Sequence, residues 1–282
     1  MNFHHKPVIH TGPVKLIVSD LDQSISFYQD VIGLVQLSRN EDTAVLGTSE
    51  KQALLELKQP EQLNAKPERS TGLYHFAILL PDREHLAAFV RHIAALKIPV
   101  GSADHLVSEA VYLDDPDGNG IEVYRDRHPD EWQWENGQVK MTVDPLNVKE
   151  LLRLKPDLTW EEAPAGTVMG HVHLHVTNLE ETERFYVEGL GLKVVCRFGN
   201  QALFISDGDY HHHFGLNTWM GEGAPPTAAN SVGLVHATLH FPSQAVLDQR
   251  INQLHKLGAK TNKRKSGLFV EDPSGNGLLL VV

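Results

Sequence analysis

A chain of 282 residues with 41% hydrophobic and 22% charged content has room for two compact units and is neither disordered nor collagen-like. A formal net charge of −11 argues against a nucleic-acid or anionic-membrane surface, and the short run Lys263-Arg264-Lys265 reads as a solvated loop. A lone cysteine, Cys196, excludes a disulfide framework and a thiolate metal cage, and with no signal-type or membrane-length apolar run the expected setting is the cytoplasm.

From the N-terminus onward the chain repeats itself. The stretch from Gly12 to Phe27-Tyr28 reads as a strand, then a helix opened by a polar cap, then Gly33-Leu34; it matches Gly170 to Phe185-Tyr186 and Gly191-Leu192 position by position. A second pair follows: Gly72-Leu-Tyr-His75 echoes Gly233-Leu-Val-His236, and Asp115-Pro-Asp-Gly-Asn-Gly120 echoes Asp272-Pro-Ser-Gly-Asn-Gly277. In the second module Leu86, Phe89, Val90, Ile93 and Leu96 fall at helical spacing between strands. Four modules of strand, helix and three strands define an α+β fold of βαβββ units. The expected division is a first domain over 1–125, a connector over 126–166 and a second domain over 167–282. Asp144-Pro145 in the connector predicts one amphipathic helix over 146–154, with Trp132, Trp134 and Trp160 as packing anchors.

The most informative stretch runs from His105 to Tyr124. An apolar run ending in Tyr112, the dense turn Asp115-Pro-Asp-Gly-Asn-Gly and the return Ile121-Glu122-Val123-Tyr124 make a hairpin. Strand alternation turns Glu122 away from Ile121 and Val123, into the space enclosed by the other face of the sheet.

These modules, each of the second and fourth closing in an Asp-Pro-x-Gly-Asn hairpin, resemble the vicinal oxygen chelate superfamily, which includes glyoxalase I, antibiotic-resistance proteins and extradiol dioxygenases. The stretch through His105, Tyr112, Asp115-Pro116, Gly118 and Glu122 resembles the extradiol dioxygenase signature, apart from Ala103, and the whole chain looks most like bacillus-type catechol 2,3-dioxygenases. The resemblance implies a metal held by two imidazoles and one carboxylate from the first and last strands of the modules. The first-strand positions carry Pro13, His75, His171 and His236; the last strands offer Glu56, Glu122, the neighbourhood of Gly215, and Leu279. Only the second and third modules together give a full set, His75, His171 and Glu122. That choice requires those modules to pair within one chain, or between two chains in a homo-oligomer, as in some glyoxalase-type proteins.

The resemblance implies Fe(II), with Mn(II) as the alternative, acting on a small aromatic diol and O2, with no nucleic-acid or membrane partner. It assigns proton transfer to His211 or His213, which share a strand face, with His213 chosen because it leads into the strand, and gives His105 and Tyr112 the task of hydrogen-bonding the catecholate. Ligation could also slip from His171 to His173 or His175, which share its face. Two other functions fit the same fold: a glyoxalase I-type isomerase using Zn(II) or Ni(II) and a second carboxylate, and a metal-free protein that sequesters an aromatic antibiotic.

Overall fold

The computed structural model describes residues 3–282; residues 1 and 2, where the first expected unit begins, lie outside the described part. Each module begins with a strand, His10–Ile17, Gly72–Leu79, Val168–His175 or Gly233–His240, and continues through a helix into three further strands. The helices start where the sequence supplies a side-chain acceptor. Asp20, Asp82, Asn178 and Ser243 each accept a hydrogen bond from the backbone N–H three residues on.

The strands form two eight-stranded sheets and one two-stranded ribbon, so the protein is α+β with cupped mixed sheets. In one sheet His10–Ile17 pairs antiparallel with Gly233–His240, joining the first module to the fourth. In the other Gly72–Leu79 pairs antiparallel with Val168–His175, joining the second to the third. Each sheet therefore takes one module from each half of the chain, and the pairing of modules two and three occurs within a single chain.

Alternation sorts the second sheet into a helix-facing side and a hollow side. Phe76, Ile78, Ile121 and Val123 join the main apolar core together with Leu86, Phe89 and Ile93 of helix Arg83–Leu96. Ala77 and Tyr124 lie on the other side in a small separate cluster. The Asp-Pro turns are tied to helices of the preceding modules: the Tyr28 hydroxyl donates to Asp115 Oδ2 at 2.8 Å, and Tyr186 donates to Asp272 Oδ2 at 3.2 Å. Each of these aspartates also accepts two backbone N–H bonds across its own turn.

The connector departs from expectation. The helix expected over 146–154 is a single turn, Val148–Leu151, capped by Asn147. Beyond it the Arg91 guanidinium takes the carbonyls of Leu154, Lys155 and Leu158 at 2.9–3.1 Å, and Lys155 adopts φ 36°, so the chain leaves the helical path before Pro156. Trp132 and Trp160 are buried, whereas Trp134 is 37% exposed and anchors little. Asp104 and Asp144 exchange backbone hydrogen bonds of 2.8 and 2.9 Å, so residues 141–144 extend the edge of the second sheet.

Candidate metal centre and its cavity

Two neighbouring rows of the second sheet build the site. Across four strands, Tyr112 lies opposite Glu122, Glu122 beside Ala77, and Ala77 opposite His171; in the next row stand Gly120, His75, His173 and Gly215. The small members make room for the large ones. Ala77 leaves a gap through which Glu122 and His171 meet, and a side chain at Gly215 would strike the His173 ring at 2.7 Å. That clash explains why the third module carries no carboxylate there: the imidazole of His173 already occupies the space.

His75, Glu122 and His171 are all buried, and one ligand atom from each lies within 4.8 Å of the others. Both His75 Nε2 (3.1 Å) and His171 Nε2 (3.0 Å) approach the same oxygen, Glu122 Oε2. His75 Nε2 does so in a geometry that makes no hydrogen bond, and it is a buried nitrogen without a partner. Burial pushes the Glu122 carboxyl up, but His171 and His75 outweigh it and hold the group well below the usual carboxylate range. Burial also lowers His171, against the opposing pull of Glu122. A buried carboxylate met by two imidazole nitrogens, one of which makes no hydrogen bond, is a set of oxygen and nitrogen donors converging on one point. It fits a divalent ion.

The cluster forms the floor of a cavity of about 380 Å³, which His105, Tyr112, His173 and His212 also line. His105 Nδ1 donates to the Thr142 carbonyl at 2.6 Å, which leaves Nε2 as an acceptor for the Tyr112 hydroxyl, also at 2.6 Å. The Tyr112 proton thus points at His105, and its oxygen lone pairs remain for a ligand. His173 and His175 do not join the cluster; they flank Asn217, which contacts His173 Nε2 at 2.9 Å and His175 Nδ1 at 2.7 Å.

His213 stands apart. It is fully buried outside the cavity, with Nε2 donating to the Phe3 carbonyl at 3.1 Å and Nδ1 accepting from Ser206 Oγ at 2.9 Å, so neither ring nitrogen is free to exchange a proton with a ligand. The reason is local: residues 211–213 lie in a bend before strand Phe214–Asn217, where strand alternation does not apply. His212 reaches the cavity instead, its ring 4.1 Å from that of His171. Its Nδ1 meets His211 Nδ1 at 2.8 Å, and His211 Nε2 meets Asp126 Oδ1 at 2.7 Å. Because Asp126 accepts, His211 Nε2 carries the proton; His211 Nδ1 then accepts from His212 Nδ1, and His212 Nε2 keeps its lone pair.

The corresponding cup of the first sheet is differently furnished. Lys15, which pairs in register with both Glu56 and His236, makes an ion pair with Glu56. Leu279 stands where the second sheet has Glu122, and burial pulls His236 down to about 4. An ammonium there already supplies the charge that a metal would bring.

Several cavity residues carried no motif in the sequence. Met141, Thr142 and Val143 come from the connector, and Tyr74, Phe198 and Trp219 stand at the mouth. The connector's pairing with Asp104 and the bond from His105 to the Thr142 carbonyl, both tertiary contacts, bring the first three to the site.

Paired βαβββ modules cupped around a His-His-Glu cluster agree with a match to the Glyoxalase/Bleomycin resistance protein/Dioxygenase superfamily over residues 9–123 and 168–280, and the chain belongs to that superfamily. Within it, the chain is 41% identical over 276 residues to the catechol-2,3-dioxygenase of Bacillus subtilis (strain 168), with 97% of each chain covered. The fold is shared with a crystal structure from Bacillus subtilis subsp. subtilis strain 168 (TM-score 0.69, 13% identity, 98% of this chain and 86% of that one). It is shared also with glyoxalase I from Zea mays (TM-score 0.60, 17% identity, 96% and 92%).

Proposed function

We propose that the protein is an extradiol ring-cleaving dioxygenase that inserts both atoms of O2 into a catechol, opening the ring beside the two hydroxyls to a muconic semialdehyde. The observation that carries this reading is the meeting of His75, His171 and Glu122 beneath the His105–Tyr112 pair in one cavity. The near full-length likeness to a catechol-2,3-dioxygenase supports it.

The three side chains would hold Fe(II), or Mn(II), leaving the side toward the cavity open. When bound, such an ion supplies the one-electron chemistry that lets a closed-shell catechol react with O2. The chain's own residues do the rest. Tyr112 accepts a hydrogen bond from a catechol hydroxyl through its free lone pairs, with His105 fixing its orientation. His212, in place of His213, takes the second hydroxyl proton at Nε2; the Asp126 carboxylate, acting through His211, stabilises the resulting positive charge. The wall around these groups keeps bulk water from the opened ring. A free, buried Cys196 is in keeping with a reducing, cytoplasmic setting.

The glyoxalase I-type reading needs a second carboxylate at the cluster. Glu56, the other candidate from a last strand, belongs to the first sheet and is engaged by Lys15. Anaerobic reconstitution with Fe(II), followed by catechol and air, tests the proposal. Oxygen uptake of one mole per mole of catechol, with a yellow ring-fission product, is expected. No uptake with Fe(II) or Mn(II), together with Ni(II)-dependent turnover of a hemithioacetal, would replace it with the isomerase.

A further inference from the structure

The cavity is larger and more apolar than a bare catechol requires. Its volume of about 380 Å³ lies within the range of drug-sized ligand sites, and a catechol seated on the His75, Glu122, His171 floor leaves the upper part empty. That upper part is aromatic on one side, where Tyr74 and Trp219 meet edge to face at 5.2 Å and His173 lies 5.3 Å from Trp219. The other side is the connector, with Met141 and Val143 facing inward. Of the ten most exposed large hydrophobic side chains among the described residues, four ring this mouth: Tyr74, Val143, Phe198 and Trp219, at 41–67% exposure. Apolar area concentrated at the mouth of a cleft marks a place where a ligand covers it.

Charge points the same way. Among the described residues no lysine or arginine lines the cavity, and the one carboxylate there, Glu122, is at the floor. Arg125 and Arg127, at the end of strand Gly120–Asp126, are engaged by Glu109 and Asp104. With a formal net charge of −11 the whole surface also disfavours anions. A carboxylate on the substrate would lose its hydration here and gain no cation.

We infer that the preferred substrate is a catechol bearing an uncharged apolar substituent, alkyl or aryl, which lies between Trp219 and Tyr74 on one side and Val143 and Met141 on the other. The inference rests on the dioxygenase reading and narrows it to a substrate class. Trp219 and Val143 then determine specificity, each burying surface only when a substituent is present.

The test uses the Fe(II)-loaded enzyme with two series, 3-alkyl and 4-alkyl catechols from methyl to butyl, beside catechol and 3,4-dihydroxyphenylacetate. The expected result is a rise in kcat/KM of about threefold per added methylene in at least one series, the size expected of burying a CH2 group. The anionic compound should fall at least 30-fold below the alkyl catechol of equal length. Trp219→Ala should flatten the chain-length dependence, and Leu152→Ala, a change at an exposed apolar residue away from the cavity, should leave the slope intact. Val143→Arg, at a 67% exposed position that tolerates substitution, should raise turnover of 3,4-dihydroxyphenylacetate at least tenfold. Anaerobic calorimetry of 4-propylcatechol binding gives a readout independent of turnover, with Trp219→Ala expected to weaken binding about tenfold. Brisk cleavage of catechol with a flat response to chain length, or equal use of the anionic compound, overturns the inference while leaving the dioxygenase reading standing. Absence of oxygen uptake with every catechol overturns both.

Discussion

Asp126 Oδ1 lies 2.7 Å from His211 Nε2, and that contact decides which nitrogen of the next residue carries the proton. The carboxylate fixes the proton of His211 on Nε2, and so the proton of His212 on Nδ1. Asp126→Asn would let its amide donate to His211 Nε2 and reverse both tautomers. We expect kcat to drop on the order of 10²-fold with KM changed little, because the loss is one of proton transfer rather than of binding. Asp126→Glu should recover part of the rate, whereas a purely structural role for the carboxylate would raise KM and lower kcat together with thermal stability. Steady-state oxygen uptake and a melting curve on both variants separate the two.

His212 and His213 differ by one position and by surroundings, the first lining the cavity and the second buried against Phe3 and Ser206. His212→Gln is expected to lose on the order of 10²-fold or more in kcat/KM, since it removes the imidazole whose Nε2 keeps a lone pair while its Nδ1 is tied to His211. His213→Gln should keep most of the activity and instead lower stability by about 1–3 kcal/mol, through loss of its buried bonds to Ser206 and Phe3. The reverse pattern in oxygen-uptake kinetics and denaturant melts would return the proton-transfer role to His213.

Glu122→Gln removes the anion from the donor set while keeping its shape. Fe(II) retained after gel filtration should fall sharply, with apparent affinity at least about 100-fold weaker. Colorimetric iron analysis reads this without reference to turnover. Full iron content in the variant would mean that the ion sits elsewhere.

Acid should destabilise the fold through its histidines. Burial pulls His213 down to about 3 and His236 and His240 down to about 4, from an ordinary value of 6.5. Above pH 6.5 these groups are neutral whether the chain is folded or not, so they do not affect stability. As the pH falls below 6.5 the unfolded chain takes up protons that the folded one refuses, and stability is lost progressively down to about pH 4. Asp272, pushed up to about 6 by burial, and Asp115, which burial also raises, work in the opposite sense and gain stability over that window, but they are two groups against three. Urea midpoints measured between pH 7.5 and 4.5 should therefore fall, and His236→Asn should make the fall shallower. A midpoint independent of pH would contradict the burial of these rings.

Tyr28 donates its hydroxyl to the buried turn of another module, where burial raises the Asp115 carboxyl. Tyr28→Phe should cost about 1–2 kcal/mol, visible as a Tm lowered by a few degrees. Because the Asp115 turn leads directly into strand Gly120–Asp126, the same variant should also hold iron less tightly; unchanged iron retention would show that Glu122 is positioned by its sheet neighbours alone.

Much of this architecture could be read in advance because the modules repeat. Gly170-His171 matches Gly12-Pro13, and Gly233-Leu-Val-His236 matches Gly72-Leu-Tyr-His75, which defines four first strands and their inward positions. The distribution of donors then singles out the second and third modules, since only they combine two imidazoles with a carboxylate. Local spacing could not show the bend at residues 210–213, where the chain leaves the alternation of strand Phe214–Asn217 and exchanges the places of His212 and His213. Nor could it show the apolar wall. Met141 and Val143 reach the cavity through a backbone pairing between Asp104 and Asp144, and nothing in their own neighbourhood records that partner. The expected connector helix failed for a similar reason: a distant side chain, Arg91, competes for the carbonyls that would have extended it.

The nested pairing of modules, first with fourth around second with third, has a consequence for how the molecule is made. During synthesis the inner sheet can close once the ribosome has delivered strand Phe214–Asn217, while His10–Ile17 still waits for a neighbour on one edge. The earliest-made strand is completed by the opening strand of the last module. Deletions at the C-terminus should thus unpair the fourth module's own strands first, reach the edge of His10–Ile17 once they pass Gly233–His240, and spare the metal-binding cup until shortening passes into the third repeat.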